Sequence, residues 1–333
     1  MRMNKLFSGI SSDGINYLNI GLMILSLVAA YILPFEVFLF SYAVLGPLHY
    51  LTEISWLEKK NYFIKSRKDI WLLILLVILI TIGMFDPASK VNSFLGSLLF
   101  SGFIYALIII FVDKFALKLL LIFITFIASL VFNVNHYPDM IFLLFAVWLP
   151  TIIHVFIFTG AFILYGALKT RSFSGMISLL VFVACALSFF MYTPSGLPAS
   201  VSAYAQRAYY NFSVLNTSLY SLFGYGELRL EETVLFTNEN SLKIMRFIAF
   251  AYTYHYLNWF SKTTVIKWNE ISKRRMGVII ALWSCSVILY AVSYEIGFYA
   301  LFLLSLLHVF FEFPLNHHTF IGIGKEVKAL VRR

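Results

Sequence analysis

The side chains able to do chemistry in this chain are few, and their placement is patterned. Four histidines, His49, His154, His255 and His308, stand inside long apolar stretches. Two of them are followed four residues later by a glutamate: His49 by Glu53 in Gly46-Pro47-Leu48-His49-Tyr50-Leu51-Thr52-Glu53, and His308 by Glu312 in His308-Val309-Phe310-Phe311-Glu312. On a helix, residues four apart project from one face, so each pair can converge on a single point. Neutral imidazole is a good ligand for iron, copper or zinc, and carboxylate adds hardness and offsets charge. Helix bundles build metal sites from inward-facing Glu and His at this spacing. The candidate metal ligands are therefore His49, Glu53, His154, His255, His308 and Glu312, holding one or two ions, with non-haem iron placed ahead of copper or zinc. Asn258, His317 and His318 are candidates for supporting contacts around them.

These residues must be positioned by membrane-spanning helices. Hydrophobic residues make up 61% of the 333 positions and charged residues 12%, about half of what a soluble domain needs to cover its surface. Ten apolar segments stand out, at about 15–33, 35–57, 70–86, 93–112, 115–134, 140–168, 173–193, 241–260, 276–296 and 298–320. Helix is the state they must take, because backbone in hydrocarbon has to hydrogen-bond within its own segment. Little more than Pro34 separates the first two, which predicts a tight hairpin. The expected fold is an all-α polytopic membrane helix bundle, a single domain over residues 1–333, with about ten spans.

Basic residues fix the expected orientation. Lys59, Lys60, Lys65, Arg67 and Lys68 fill one loop, Lys114 and Lys118 lie two loops later, and Lys169 with Arg171 two loops after that. Lys262, Lys267, Lys273, Arg274 and Arg275 come next, and Lys325, Lys328, Arg332 and Arg333 last. Every second loop is positive, which puts those loops and both termini on the cytoplasmic side. The net charge of +9 thus serves topology, and no continuous basic face exists for nucleic acid. Segment 194–240 is the one long connection; it falls on the outer face and is too apolar for a linker, so an interfacial helix or a lid is expected. His136 and Asp139 are expected in or beside an outer loop, and the Glu231–Glu232 pair in the long one. Cys185 and Cys285 both lie within apolar helices, with no C-x-x-C pair, so neither a disulfide framework nor a zinc ribbon is expected.

On this topology the four histidines sit on spans 2, 6, 8 and 10, which all run from the outer to the inner side. Counted back from the next inner basic residue, they and their glutamates lie between 6 residues (Glu53) and 17 residues (His308) deep. At about 1.5 Å per residue they differ by roughly 15 Å at most. An ionisable group inside a bilayer costs about 2.5–3.5 kcal/mol, so each should face the bundle and find partners. One inward polar cluster is expected, read as a metal site, with a proton or ion pathway and plain polar packing as the alternatives.

Gly46-Pro47-Leu48-His49, in a polytopic chain dotted with histidine, resembles the Brp/Blh family of bacterial and archaeal membrane β-carotene dioxygenases. That family carries a Gly-x-x-His followed by an acid; here Glu53 stands one place late. A later family helix carries His-x-x-x-His; His255 begins such a stretch, but position 259 is Trp259. The resemblance implies histidine-bound non-haem iron and cleavage of a carotenoid with O₂, in a bacterial or archaeal cytoplasmic membrane. The expected function is an iron-dependent oxygenase acting on an apolar lipid or isoprenoid. The alternatives are a proton-coupled transporter, or a haem-binding or assembly subunit.

Overall fold

Seven helices open on a small polar side chain that takes up a free backbone N–H, which is how the sequence marks their starts. Ser11, Ser66, Ser172, Ser202, Ser272 and Ser293 each accept from an N–H two or three residues on, and Asn238 accepts from two. The computed structural model describes residues 11–60, 66–132, 140–194, 196, 201–226, 232–262, 267 and 270–332; the side chains of 59, 60, 232 and 233 are excepted. The expectations for His136, Asp139 and Glu231, and for the Glu232 side chain, fall outside that set.

In chain order the helices are α1 (Ser12–Ile32), α2 (Pro34–Phe40, a π turn Ser41–Leu45, then Gly46–Lys60), α3 (Arg67–Phe85), α4 (Leu95–Phe111) and α5 (Phe115–Val131). Next come α6 (Met140–Phe142, a π-helical run Leu143–Phe158, then Thr159–Thr170) and α7 (Phe173–Met191). Three short helices follow, α8 (Ala203–Tyr209), α9 (Ser213–Leu222) and α10 (Glu232–Thr237), and then α11 (Glu239–Ser261), α12 (Lys273–Val292) and α13 (Tyr294–Val331). No strand occurs among the described residues.

Eight of these are long and apolar enough to cross a bilayer: α1, α2, α3, α4, α6, α7, α12 and α13. Two expected spans fall short of that standard. Helix α5 is apolar but only 17 residues long, whereas α4 reaches 20 with the helical turn Asn92–Phe94 that leads into it. Helix α11 is long enough but is sheathed by protein: 17 of its 23 residues are buried, Arg246 among them. It packs against α1, α2, α6 and α7. The last span also differs from expectation, continuing as helix through Pro314 to Val331 instead of ending near 320. Its final turns are polar, and Glu326 there pairs with Arg171 at 3.4 Å. Leu33 alone joins α1 to α2.

Two apolar cores divide the bundle. One gathers α11, α1, α2 and α7 with the short helices α8 and α9, where Tyr209 packs on Phe35 and Phe38. The other gathers α13 with α3, α4 and part of α6. Ile153 on α6 and Phe302 on α13 pack against both. One basic residue used to mark the inner loops is not in water. Lys118 lies inside the bundle, its Nζ 2.6 Å from Asp69 Oδ2, while Tyr105 donates to Asp69 Oδ1 at 2.9 Å. A buried ammonium needs such a partner, and the triad ties α3, α4 and α5 together.

A candidate metal centre

The four histidines meet at the seam between the two cores. His49 comes from α2, His154 from the π-helical run of α6, His255 from the sheathed helix α11 and His308 from α13, and all four are buried. Ring centroids run 4.8 Å from His49 to His255, 4.9 Å from His255 to His154, 5.1 Å from His154 to His308 and 5.3 Å from His308 back to His49. The rings point their Nε2 atoms inward: His255 to His49 is 3.1 Å and His308 to His154 is 3.3 Å. Two nitrogens held about 2.0–2.1 Å from one ion stand about 3.0 Å apart at right angles and about 3.4 Å apart at the tetrahedral angle. The observed separations lie in that interval. His49, His154 and His255 place one ligand atom each within 4.8 Å of one another, and so do His49, Glu53 and His308. These buried groups could hold a metal ion.

Neighbouring groups orient the rings. Thr159 Oγ1 lies 2.8 Å from His255 Nδ1, which leaves Nε2 for the centre when the hydroxyl accepts the Nδ1 proton. Glu312 Oε2 stands 3.2 Å from His154 Nδ1, on the ring's outer side. Glu53 differs: its Oε2 is 3.1 Å from His49 Nε2, the inward nitrogen, so it shares the centre with the rings. Tyr50 stacks on His308 at 4.1 Å, and Trp259 packs edge-on against His49 while its indole N–H donates to Thr52. Trp259 thus braces the site through its ring and its N–H.

The remaining candidates lie apart. His317 packs half-buried on Phe313, His318 is exposed, and neither joins the groups above. Asn258 is buried four residues from Tyr254, whose hydroxyl it accepts at 3.5 Å, and it faces a cavity. Thr159, Tyr50 and Trp259 carry no signal in the sequence that would set them apart from other apolar-span residues.

Two cavities reach the centre from different sides. The first, about 310 Å³, is bounded by His154 and His308 and by mostly apolar walls from α3, α4, α6, α9 and α13, including Ile80, Leu99, Phe212 and Phe302. It extends to Met84 and Val214, away from the lysine-bearing ends of the helices. The hydroxyls of Tyr50 and Tyr256, bonded to each other at 2.9 Å, stand in its wall. The second, about 500 Å³, is bounded by His49, Glu53, His255 and Glu312 and runs to Lys169 and Lys262. Lys262 sits half-buried just past the end of α11, where loss of water around the ammonium pushes it down to about 8.

No protein-family model, no curated protein and no solved structure matches the chain.

Proposed function

We propose that the chain is a membrane-embedded metal-dependent oxygenase, with non-haem iron at the four-histidine centre and an apolar lipid or isoprenoid, such as a carotenoid, as substrate. The observation that carries this reading is that buried imidazoles from four separate helices meet, with Nε2 pairs at 3.1 and 3.3 Å and two sets of three ligand atoms that could each share an ion, His49, His154, His255 and His49, Glu53, His308, beside a mainly apolar cavity. Iron held there would supply the redox chemistry by which dioxygen reacts with the substrate.

The protein's own groups do the rest. His49, His154, His255 and His308 fix the ion's position from α2, α6, α11 and α13, so that it is held by rigid elements. Glu53 is placed to add a carboxylate oxygen beside His49. The walls of the first cavity exclude water and take up an apolar chain; its volume is within the range of small-molecule pockets. Tyr50 holds the His308 ring by stacking and turns its hydroxyl to Tyr256, so the wall nearest the centre carries one self-satisfied polar pair. The likeness of Gly46-x-x-His49 to the carotenoid dioxygenase motif supports the choice within isoprenoids.

The alternatives fit less well. A transporter needs a polar route on both sides of the centre, and the first cavity is walled mainly by apolar side chains. Two histidines on one haem iron would need their nitrogens about 4 Å apart with the macrocycle between them; the Nε2 pairs at 3.1 and 3.3 Å stand closer than that.

Elemental analysis of protein purified in mild detergent tests the proposal. Iron near one or two equivalents is expected, lost in His154→Ala and His308→Ala, together with O₂-dependent consumption of an apolar polyene. Folded, metal-free protein, unchanged by those substitutions, would overturn it.

A further inference from the structure

The centre lies between two cavities, and charged side chains line only the second: Glu53 and Glu312 at its deep end, Lys169 and Lys262 at the other. Its deep end presents Glu53 and Glu312, buried carboxylates whose Oε2 atoms lie beside His49 Nε2 and His154 Nδ1 and have no other polar partner. Partway along stand the buried amides of Asn19 and Asn258, and Asn16 lies nearer the start of α1. The far end opens where α6 and α11 terminate, at Lys169 and Lys262. Oxygen-bearing side chains therefore line a route from one membrane face to the inner histidines. Carboxylate and amide oxygens suit a cation that must exchange its water for protein ligands stepwise. The other route holds no carboxylate to offset the charge of an ion that has shed its water.

We propose that this second cavity is the loading path for the metal: a hydrated divalent cation enters from the lysine-bearing face, passes the asparagines, and is handed by Glu53 and Glu312 to the histidines. The proposal rests on the metal-centre reading. It gives Glu312, set behind His154, a reason to face open space. The two lysines at the mouth oppose a cation, and neither pairs with a carboxylate among the described residues. They slow loading, and salt relieves them.

Gly166 provides the test, since it lines this cavity and a Cβ there would meet no heavy atom within 4 Å. Metal-stripped protein in detergent is mixed with Co(II), whose visible d–d bands report when the ion is bound, and the rate and final amount are read. Gly166→Trp is expected to slow loading at least fivefold with the final amount unchanged, and Gly166→Ala to load at the wild-type rate. Met84→Trp, at the mouth of the apolar cavity, should leave the rate unchanged. Lys169→Gln and Lys262→Gln should load faster at low salt. Wild-type rates in Gly166→Trp, slowing by Met84→Trp alone, or slower loading in the lysine variants would overturn the path, the last by showing a cavity that favours anions. A wild-type protein that binds no Co(II) would instead defeat the metal centre itself, and this inference with it.

Discussion

Thr159→Val tests whether the contacts behind the rings set the grip on a metal. The substitution keeps shape and volume while removing the one hydroxyl within 2.8 Å of His255 Nδ1. Both residues are buried, and the Thr159 hydroxyl is the side-chain partner of that ring nitrogen, so the substitution removes its hydrogen bond from the protein. Leaving a buried polar group unsatisfied costs about 1–3 kcal/mol. Freed of that contact, the ring can also adopt the tautomer that puts a proton on Nε2, which cannot ligate. A loss of 10–100-fold in affinity is about 1.4–2.7 kcal/mol, the same range, and it is the usual effect of removing a contact behind a ligating histidine. Competition for Co(II) against a chelator of known affinity, in detergent, measures it. Thr159→Ser keeps the hydroxyl and should stay within about threefold of wild type. Affinity unchanged in Thr159→Val, or an equal loss in Thr159→Ser, would refute the reasoning, because either result would divorce grip from the hydrogen bond.

Two further outcomes concern the scaffold. Asp69→Asn leaves the Lys118 ammonium buried without its counter-charge, and should lower stability by about 3–5 kcal/mol, with Asp69→Asn/Lys118→Met recovering much of it; thermal unfolding in detergent reads both. Gly102→Ala puts a methyl inside the space of the Phe310 ring, and overpacking of that kind should cost about 1–3 kcal/mol, relieved by Phe310→Leu in the same assay.

The bundle's helices follow closely from apolar runs and polar caps, because in hydrocarbon the backbone has no other way to be satisfied. The meeting of His49, His154, His255 and His308 was legible for a related reason: a costly polar side chain in an apolar span has to turn inward, and residue counts placed all four in the middle-to-inner part of the bilayer, within roughly 15 Å of one another in depth. What a count along the chain does not contain is rotation about each helix and the neighbours across it. That is why Thr159 behind His255, and the division of the centre's surroundings into two cavities, emerge only in three dimensions. The same gap misplaced Lys118, whose type says loop and whose partner, Asp69, is 49 positions away. His317 and His318 mark the converse, as their turn of α13 carries them past the seam.

Two histidines depend on helix that is wound more loosely than usual. The π turn Ser41–Leu45 ends four residues before His49, and His154 lies within the π run Leu143–Phe158, which also contains Pro150. Such turns hold an extra residue and recur at functional sites. A single-residue deletion in either segment would let the α-helix close up and swing everything beyond it by about 100°. The imidazole would then be carried to another side of its helix while composition and hydropathy stayed nearly the same. Chain length within those two segments is thus as much a determinant of the centre as the histidines themselves, and a homologue lacking one residue there should be expected to have lost it.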